Sequence, residues 1–220
     1  MAEFHDTTEE YLETILQLEE EEVVPLRARL SERLGVSPAS VSETVQRLVE
    51  RGLVELADDR SLGLTEDGRS LAVSIVRRHR LAERLLVDII GLEWEKVHRE
   101  AARWEHAISA DVEAKLVELL GDPGTCPHGN PIPGSKRRPT GRVGVKLSEA
   151  SPGQVSVTRI SEALELDDDA LIMLSDARLI PGCAATVIDV DNGDATVTTP
   201  QGTHTVPRKI ATQLWVTTGS

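Results

Sequence analysis

The sequence predicts a mainly α chain with a small β portion: an N-terminal winged helix-turn-helix, a helical middle region and a C-terminal SH3-like β-barrel. Three observations carry this. Apolar residues recur at helical spacing through the first half, and two short helices there flank a turn containing glycine. Beyond a Pro- and Gly-rich stretch, β-branched residues alternate around a strong hairpin turn. The length of 220 residues suits one large or two to three small domains, since domains commonly run ~100–150 residues.

Taken in order, Asp6-Thr7-Thr8-Glu9 reads as a helix start, and Tyr11, Leu12, Ile15, Leu16 and Leu18 form an apolar face through to Glu22. Pro25 ends it. Leu26 to Leu34 is a short second helix closed by Gly35. Ser37 is a plausible N-cap for a third, with Pro38 at the first helical position, where its missing N–H costs nothing. That helix runs to Arg51 and stops at Gly52. Leu53–Leu56 and Ser61–Leu64 surround Ala57-Asp58-Asp59-Arg60 as a hairpin, placing Arg60 at the tip of a wing. Thr65-Glu66-Asp67-Gly68 opens a long helical stretch to about Leu120, broken near Gly91 and apolar enough to need a partner surface. From Gly121 to Gly153 six Pro and seven Gly predict a linker. Val155–Ile160, Ala184–Val190, Ala195–Thr199 and Gln213–Thr217 then read as strands, with Asp191-Asn192-Gly193-Asp194 as the turn between two of them.

Composition narrows the function. Two cysteines, Cys126 and Cys183, exclude a disulfide framework and, with no signal peptide or membrane-length apolar run, predict a cytoplasmic protein. Five aromatics are too few for single-strand stacking platforms. No HExxH, nucleophile elbow or phosphate loop occurs, so an enzyme is not expected. The net charge is −13, unevenly spread. Met1–Pro25 carries nine acids and no Lys or Arg, whereas Leu26–Arg60 balances six Arg against six acids. Arginine is the better phosphate partner because its fork donates bidentately. The acidic lead segment would repel DNA unless something cationic neutralised it.

The third helix places Ser37, Pro38, Ala39, Ser40, Ser42, Glu43 and Arg47 in its first three turns. Small and hydroxyl residues allow close approach to base edges, while Arg47 and Arg60 would reach phosphates. A solvated helical hairpin is the plainer alternative, but the wing that follows favours DNA. Thr7, Arg27 and Arg29 complete the candidate DNA contacts.

Histidines and carboxylates recur at ligand spacing. His79 and Glu83 stand four apart on one helical face; His98, Glu105 and His106 recur at seven and eight; Glu10 and Glu13 are three apart on the first helix. Cys126 and His128 flank a proline, and Asp167-Asp168-Asp169 lies in the last domain. Each pair alone is more commonly a surface ion pair. Their union, on a chain whose acidic start needs neutralising, points to a divalent cation of the Mn²⁺, Fe²⁺, Co²⁺ or Zn²⁺ group.

Several long blocks resemble the diphtheria toxin repressor family of metal-dependent regulators: Asp6-Thr7-Thr8-Glu9, Pro25-Leu26-Arg27-Ala28-Arg29, Asp59-Arg60-Ser61-Leu62, His79-Arg80-Leu81-Ala82-Glu83-Arg84-Leu85-Leu86, Arg103-Trp104-Glu105-His106 and Gly129-Asn130-Pro131-Ile132-Pro133-Gly134. The resemblance implies a winged helix-turn-helix at residues 1–73 and a helical metal-binding and dimerisation domain at 74–135. A linker at 136–150 and an SH3-like domain at 151–220 would follow. It also implies up to two metal ions per subunit. Iron-sensing members join a methionine, a cysteine, a glutamate and a histidine at one site. Here Glu10 and Ala102 stand at the sulfur positions, while Glu105 and His106 match, and Glu13 adds a carboxylate as in the manganese-sensing branch. The other site matches at His79, Glu83 and His98, with Asp167 at the place of a carboxylate from the SH3-like domain; Cys126 and His128 resemble ligands of some manganese-sensing members. Hard oxygen and imidazole donors lean towards Mn²⁺, with Fe²⁺ as the alternative. The expected protein is thus a repressor of metal-homeostasis genes, binding palindromic double-stranded operator DNA as a homodimer, with no membrane partner. A cation held by Glu10, Glu13, Glu105 and His106 would tie down the first helix and cancel part of its charge.

Overall fold

A computed structural model describes residues 7–137 and 144–218. Asp6, expected to open the first helix, lies outside the described residues. The chain divides into two compact units, residues 1–78 and 79–220.

In the first unit, α1 (Thr7–Glu20), α2 (Arg27–Leu34) and α3 (Pro38–Glu50) precede a two-stranded antiparallel wing, β1 (Val54–Leu56) and β2 (Leu62–Leu64), paired Val54 to Leu64 and Leu56 to Leu62. The 20-residue α4 (Glu66–Leu85) follows. One face of each helix supplies a single core in which Leu12, Ile15, Leu30, Val41, Val45, Leu48, Val54, Leu62 and Val76 are buried. The sequence signals act as expected. Gly35 ends α2 at φ 66°, a conformation that costs an L side chain. Ser37 caps α3, its Oγ accepting from the Ser40 N–H at 3.2 Å, with Pro38 in the first turn. Gly68 is required where α4 crosses the wing's first strand, because a Cβ there would stand 1.9 Å from the Leu53 carbonyl oxygen.

The second unit begins inside α4, which widens into a π-helical turn at Leu86–Ile90 and stops at Gly91. Next come α5 (Val97–Trp104) and α6 (Ala110–Leu120), capped by Ser109. Leu81, Leu86, Val97, Ala101, Ile108 and Leu116 pack together with Ile132 from the following loop.

That loop corrects the expectation of a tether over its first half. Thr125 and Pro131 form a β-bridge, Cys126 N–H donates to Asn130 O, and Ile160 N–H of the sheet domain donates to His128 O at 2.9 Å. Gly129, at φ 88°, leaves room for the Thr158 carbonyl, which a Cβ would approach to 2.0 Å. Proline and glycine here shape a fixed turn rather than confer slack. Arg138 of the expected linker and its neighbours 139–143 lie outside the described residues.

The last part contains β3 (Val145–Lys146), β4 (Gly153–Ile160), α7 (Glu162–Glu165), α8 (Asp168–Asp176), β5 (Ala184–Asp191), β6 (Asp194–Thr199), β7 (Gly202–Val206), α9 (Arg208–Ala211) and β8 (Leu214–Thr218). The strands form one antiparallel sheet in the order β3-β8-β4-β5-β6-β7. Among the described residues β3 and β7 do not pair, so the expected barrel is an open sheet. Asn192 and Gly193, both at positive φ, make the β5–β6 turn, as the Asn-Gly pair demands. Val155, Val157, Ile160, Leu171, Leu174, Val187, Val197 and Leu214 bury the inner face under α8.

Candidate metal centre and DNA-facing helix

The second unit gathers a buried polar cluster from four places in the chain. His79 and Glu83, one turn apart, project from α4, and Arg80 sits between them; all three are buried. His98 comes from α5, and Cys126, His128 and Asn130 from the ordered loop. α7 adds Glu162 and Glu165, three apart and therefore on one face, held by the Ser161 cap, whose Oγ accepts from Leu164 N–H.

His79 Nε2 lies 3.1 Å from His98 Nδ1 and 3.3 Å from Glu83 Oε1. Glu165 Oε2 stands 2.8 Å from His98 Nδ1 and 3.0 Å from His128 Nδ1. Glu83 Oε1 also reaches His128 Nδ1 at 3.1 Å. On its other side, His79 Nδ1 meets Glu105 Oε2 at 2.5 Å. Arg80 Nη2 donates to Glu162 Oε1 at 2.7 Å, and Asn130 Nδ2 to Glu165 Oε1 at 2.7 Å. His79, Glu83, His98 and Glu165 can each turn one donor atom into a common space.

Charge decides what this space can hold. Four carboxylates (Glu83, Glu105, Glu162, Glu165) are buried against one arginine, and buried charge is tolerated only when it is compensated. Protons can do this. Burial alone would lower the imidazole pKa values, but Glu105 and Glu83 raise His79 well above the usual range, and Glu165 and Glu83 lift His98 to about 9. His128 is likewise raised against its burial, chiefly by Glu165 and Glu83. Glu83 is held well below the carboxylate range, in spite of burial, by His128 and His79. Burial pushes the Cys126 thiol up to about 12. A divalent cation is the other compensator, and the donor set suits one: Glu83 Oε2 is buried without a hydrogen-bond partner, beside imidazole nitrogens at mutual distances of about 3 Å, the spacing of neighbouring ligands around an ion with ~2.1 Å bonds.

Of the sequence-predicted ligands, His79, Glu83, His98, Cys126 and His128 thus stand together, and Glu105 touches them through His79. His106 Nε2 lies 3.2 Å from Glu105 Oε1. Asp167 is elsewhere: it caps α8, accepting from Ala170 N–H, and pairs with Lys209 Nζ at 2.7 Å. The carboxylates that the sheet domain sends to the cluster are Glu162 and Glu165. Sequence reasoning passed over them, although Ser161 followed by glutamates three apart is a readable cap and face. Glu10 and Glu13 lie half-buried on α1 of the first unit, where Glu13 Oε1 accepts from Gln17 Nε2.

In the first unit Ser37, Pro38, Ala39, Ser40, Ser42, Glu43 and Arg47 are all exposed, opposite the buried Val41, Thr44, Val45 and Leu48. Ser42 Oγ donates to Pro38 O and Arg47 Nη2 to Thr44 Oγ1. Arg60 is exposed at the wing turn, at φ 68°, with Asp59 engaged by Ser61. Thr7 and Arg29 are exposed and Arg27 is half-buried; Arg29 pairs with Glu32 at 3.1 Å.

Comparison with known proteins agrees with this division. Residues 3–62 match the family model described as iron dependent repressor, N-terminal DNA binding domain, and residues 65–134 match iron dependent repressor, metal binding and dimerisation domain. The chain is 47% identical over 222 residues to the iron-dependent repressor IdeR of Mycobacterium tuberculosis, covering 96% of each. It is 46% identical over 199 residues to the diphtheria toxin repressor of Corynebacterium diphtheriae, covering 87% of this chain and 88% of that one. Among solved structures, a manganese-dependent transcriptional repressor in complex with manganese aligns over 97% of this chain and 100% of that one, with a TM-score of 0.83 and 30% identity. The chain belongs to the diphtheria toxin repressor family, the metal-dependent transcriptional repressors.

Proposed function

We propose that the protein is a Mn²⁺-activated repressor of metal-homeostasis genes, acting in the cytoplasm as a homodimer on palindromic operator DNA. The observation that carries the metal reading is the buried set of His79, Glu83, His98 and Glu165, all nitrogen and oxygen donors, within reach of one another. Such donors suit Mn²⁺ and Fe²⁺. The relatives named above as iron-dependent favour Fe²⁺, which is the second reading. Glu10 and Ala102, standing where the resemblance places sulfur ligands, favour Mn²⁺.

Cys126 and His128 stand beside this set, and Glu10, Glu13, Glu105 and His106 form a second candidate set, so each subunit takes up to two ions. When bound, a cation supplies positive charge that the acidic clusters lack. The protein's own side chains do the rest: Glu165 and Asn130 tie the sheet domain to the α4–α5 cluster, and Arg80 holds Glu162. Exposed Val112 and Leu119 on α6 and Ile89 and Ile90 beyond α4 leave apolar surface that a second copy would cover. A two-fold dimer presents two α3 helices, and so reads a palindrome. We assign residues 1–73 to DNA, 74–135 to metal and dimerisation, 136–150 to a linker and 151–220 to the SH3-like domain.

Fluorescence anisotropy with the protein's own promoter DNA, anaerobic and at matched free Mn²⁺, Fe²⁺ or chelator, tests this. Tight binding with Mn²⁺ and little with chelator is expected. Stronger activation by Fe²⁺ would move the protein to the second reading, and binding indifferent to chelator would overturn metal control. Glu10→Ala is expected to lose the metal response while remaining dimeric.

A further inference from the structure

The exposed side of α3 holds a residue that a DNA-facing helix would ordinarily avoid. At about 100° per residue, Ala39, Glu43, Gln46 and Glu50 stand opposite the buried Val41, Thr44, Val45 and Leu48, at the centre of the exposed side. Glu50 is engaged by Gln46, whose Nε2 donates to its Oε1 at 3.0 Å. Glu43 is exposed and, among the described residues, makes no hydrogen bond or ion pair. Its natural partner would be Arg47, one turn on, since a glutamate four residues before a basic side chain is the favoured order. Arg47 donates instead to Thr44 Oγ1 at 2.9 Å. Nor does the helix dipole account for the charge, because Glu43 is the sixth residue of α3 and the dipole's effect fades within the first turn.

A carboxylate so placed loses affinity wherever it faces phosphate and gains only where a base offers it a proton. Ionised, it has acceptors and no donor. In the major groove guanine shows N7 and O6 and thymine shows O4, all acceptors that repel it. Adenine has its N6 donor beside the N7 acceptor. Cytosine presents the N4 donor alone and is the base that a glutamate fits. Reach also singles out Glu43. Ser37, Pro38, Ala39, Ser40 and Ser42, exposed on the same leading turns, are all short, so the helix can approach closely and Glu43 has the longest side chain among them.

We propose that Glu43 is a specificity-determining residue, its carboxylate accepting from cytosine N4 in the major groove of each operator half-site. This rests on the reading of α3 as the helix that enters the groove. A two-fold dimer then requires a C·G pair at two symmetry-related positions. Replacing one of them by another pair should weaken binding about tenfold, and replacing both about a hundredfold, within the usual range for mismatched base pairs. The repulsion is offset only at these positions, so the same charge lowers affinity for every other sequence. Specificity thus comes from rejection as well as attraction.

Selection from random duplex DNA followed by sequencing tests this on the full-length protein, with Mn²⁺ in one series and Fe²⁺ in another. The wild type is expected to enrich a palindrome containing the symmetric C·G pair. Glu43→Gln should replace that cytosine by adenine, whose N6 and N7 an amide matches, and leave the rest of the palindrome unchanged. Glu43→Ala should leave the position without preference. Glu43 lies clear of the core, so neither substitution disturbs the fold. Both variants should also bind unselected DNA more tightly, as the loss of any surface acid would, so the change of base is the readout that a merely solvated glutamate does not give. The same sequence enriched by all three proteins would overturn the proposal. Ala39→Gln, one turn earlier on the same side, then locates the failure: a new consensus keeps α3 in the groove and removes Glu43 alone, whereas an unchanged one removes α3 from the bases altogether.

Discussion

The carboxylates packed around His79, His98 and His128 set the proton affinity of these imidazoles. His98 illustrates the consequence. Burial opposes its charge, but Glu165 and Glu83 outweigh burial and raise it to about 9, against 6.5 for an unhindered ring. In the metal-free protein its contribution to stability is therefore complete below pH 6.5 and lost as pH rises through about 9. Metal binding has the opposite sign, because a ligating ring nitrogen must first lose its proton. Apparent Mn²⁺ affinity is expected to rise about tenfold per pH unit for each proton displaced between pH 6 and 8. Calorimetry in buffers of different ionisation enthalpy checks this; uptake without proton release would refute it. The same cluster shows what a sequence discloses at this scale. His79 and Glu83 are legible from their spacing alone. Glu165 is not, because a run of acids from Glu162 to Asp169 offers five carboxylates and only the fold selects two. Arg80 and Asn130 are silent in sequence, since both act through contacts 30 or more residues away.

Elements with strong local signals form where those signals stand. The α2–α3 turn is one: Gly35 in the left-handed conformation, then Ser37 as cap and Pro38 in the first turn. Ser37 thus has two jobs, capping α3 and lying on its exposed leading face. Ser37→Ala in DNA-free protein is expected to lower unfolding free energy by about 1 kcal/mol, the usual worth of such a cap. Urea unfolding gives the answer, and an unchanged midpoint would show that the Ser40 N–H finds another partner. The strands at Val155–Ile160 and Ala184–Val190 were equally legible, as was the Asn192-Gly193 turn. β7 (Gly202–Val206) was not, because threonines occupy its outward positions, a histidine takes an inward one and only Val206 is buried. α7 and α9, four residues each, are too short to show a period. The Pro- and Gly-rich loop misled for a physical reason: the residues that loosen a chain in solution also make the tightest turns, and only the Thr158 carbonyl above Gly129 reveals which.

At the scale of the molecule, a chain of net charge −13 must approach a polyanion, and few cations face the task. Of the candidate phosphate contacts, Arg29 is engaged with Glu32 and Arg47 with Thr44, whereas Arg60 projects from the wing turn. Neutralising a phosphate releases counterions, and log K falls with log salt by about 0.9 per contact. In a two-fold dimer each arginine counts twice, so Arg60→Ala should make that slope shallower by about two, with weakening similar across operator sequences. Arg29→Ala should change it less, because removing Arg29 also frees Glu32, whose carboxylate then adds to the repulsion without a phosphate contact having been lost. The contrast separates a direct contact from a general charge effect. A general effect would lower affinity equally in both variants and fade at high salt as the Debye length shrinks towards ~3 Å. Anisotropy titrations at several salt concentrations, with Mn²⁺ held constant, measure both slopes. Equal slopes for Arg60→Ala and the wild type would place the wing tip away from the phosphates and leave α3 alone to hold the DNA.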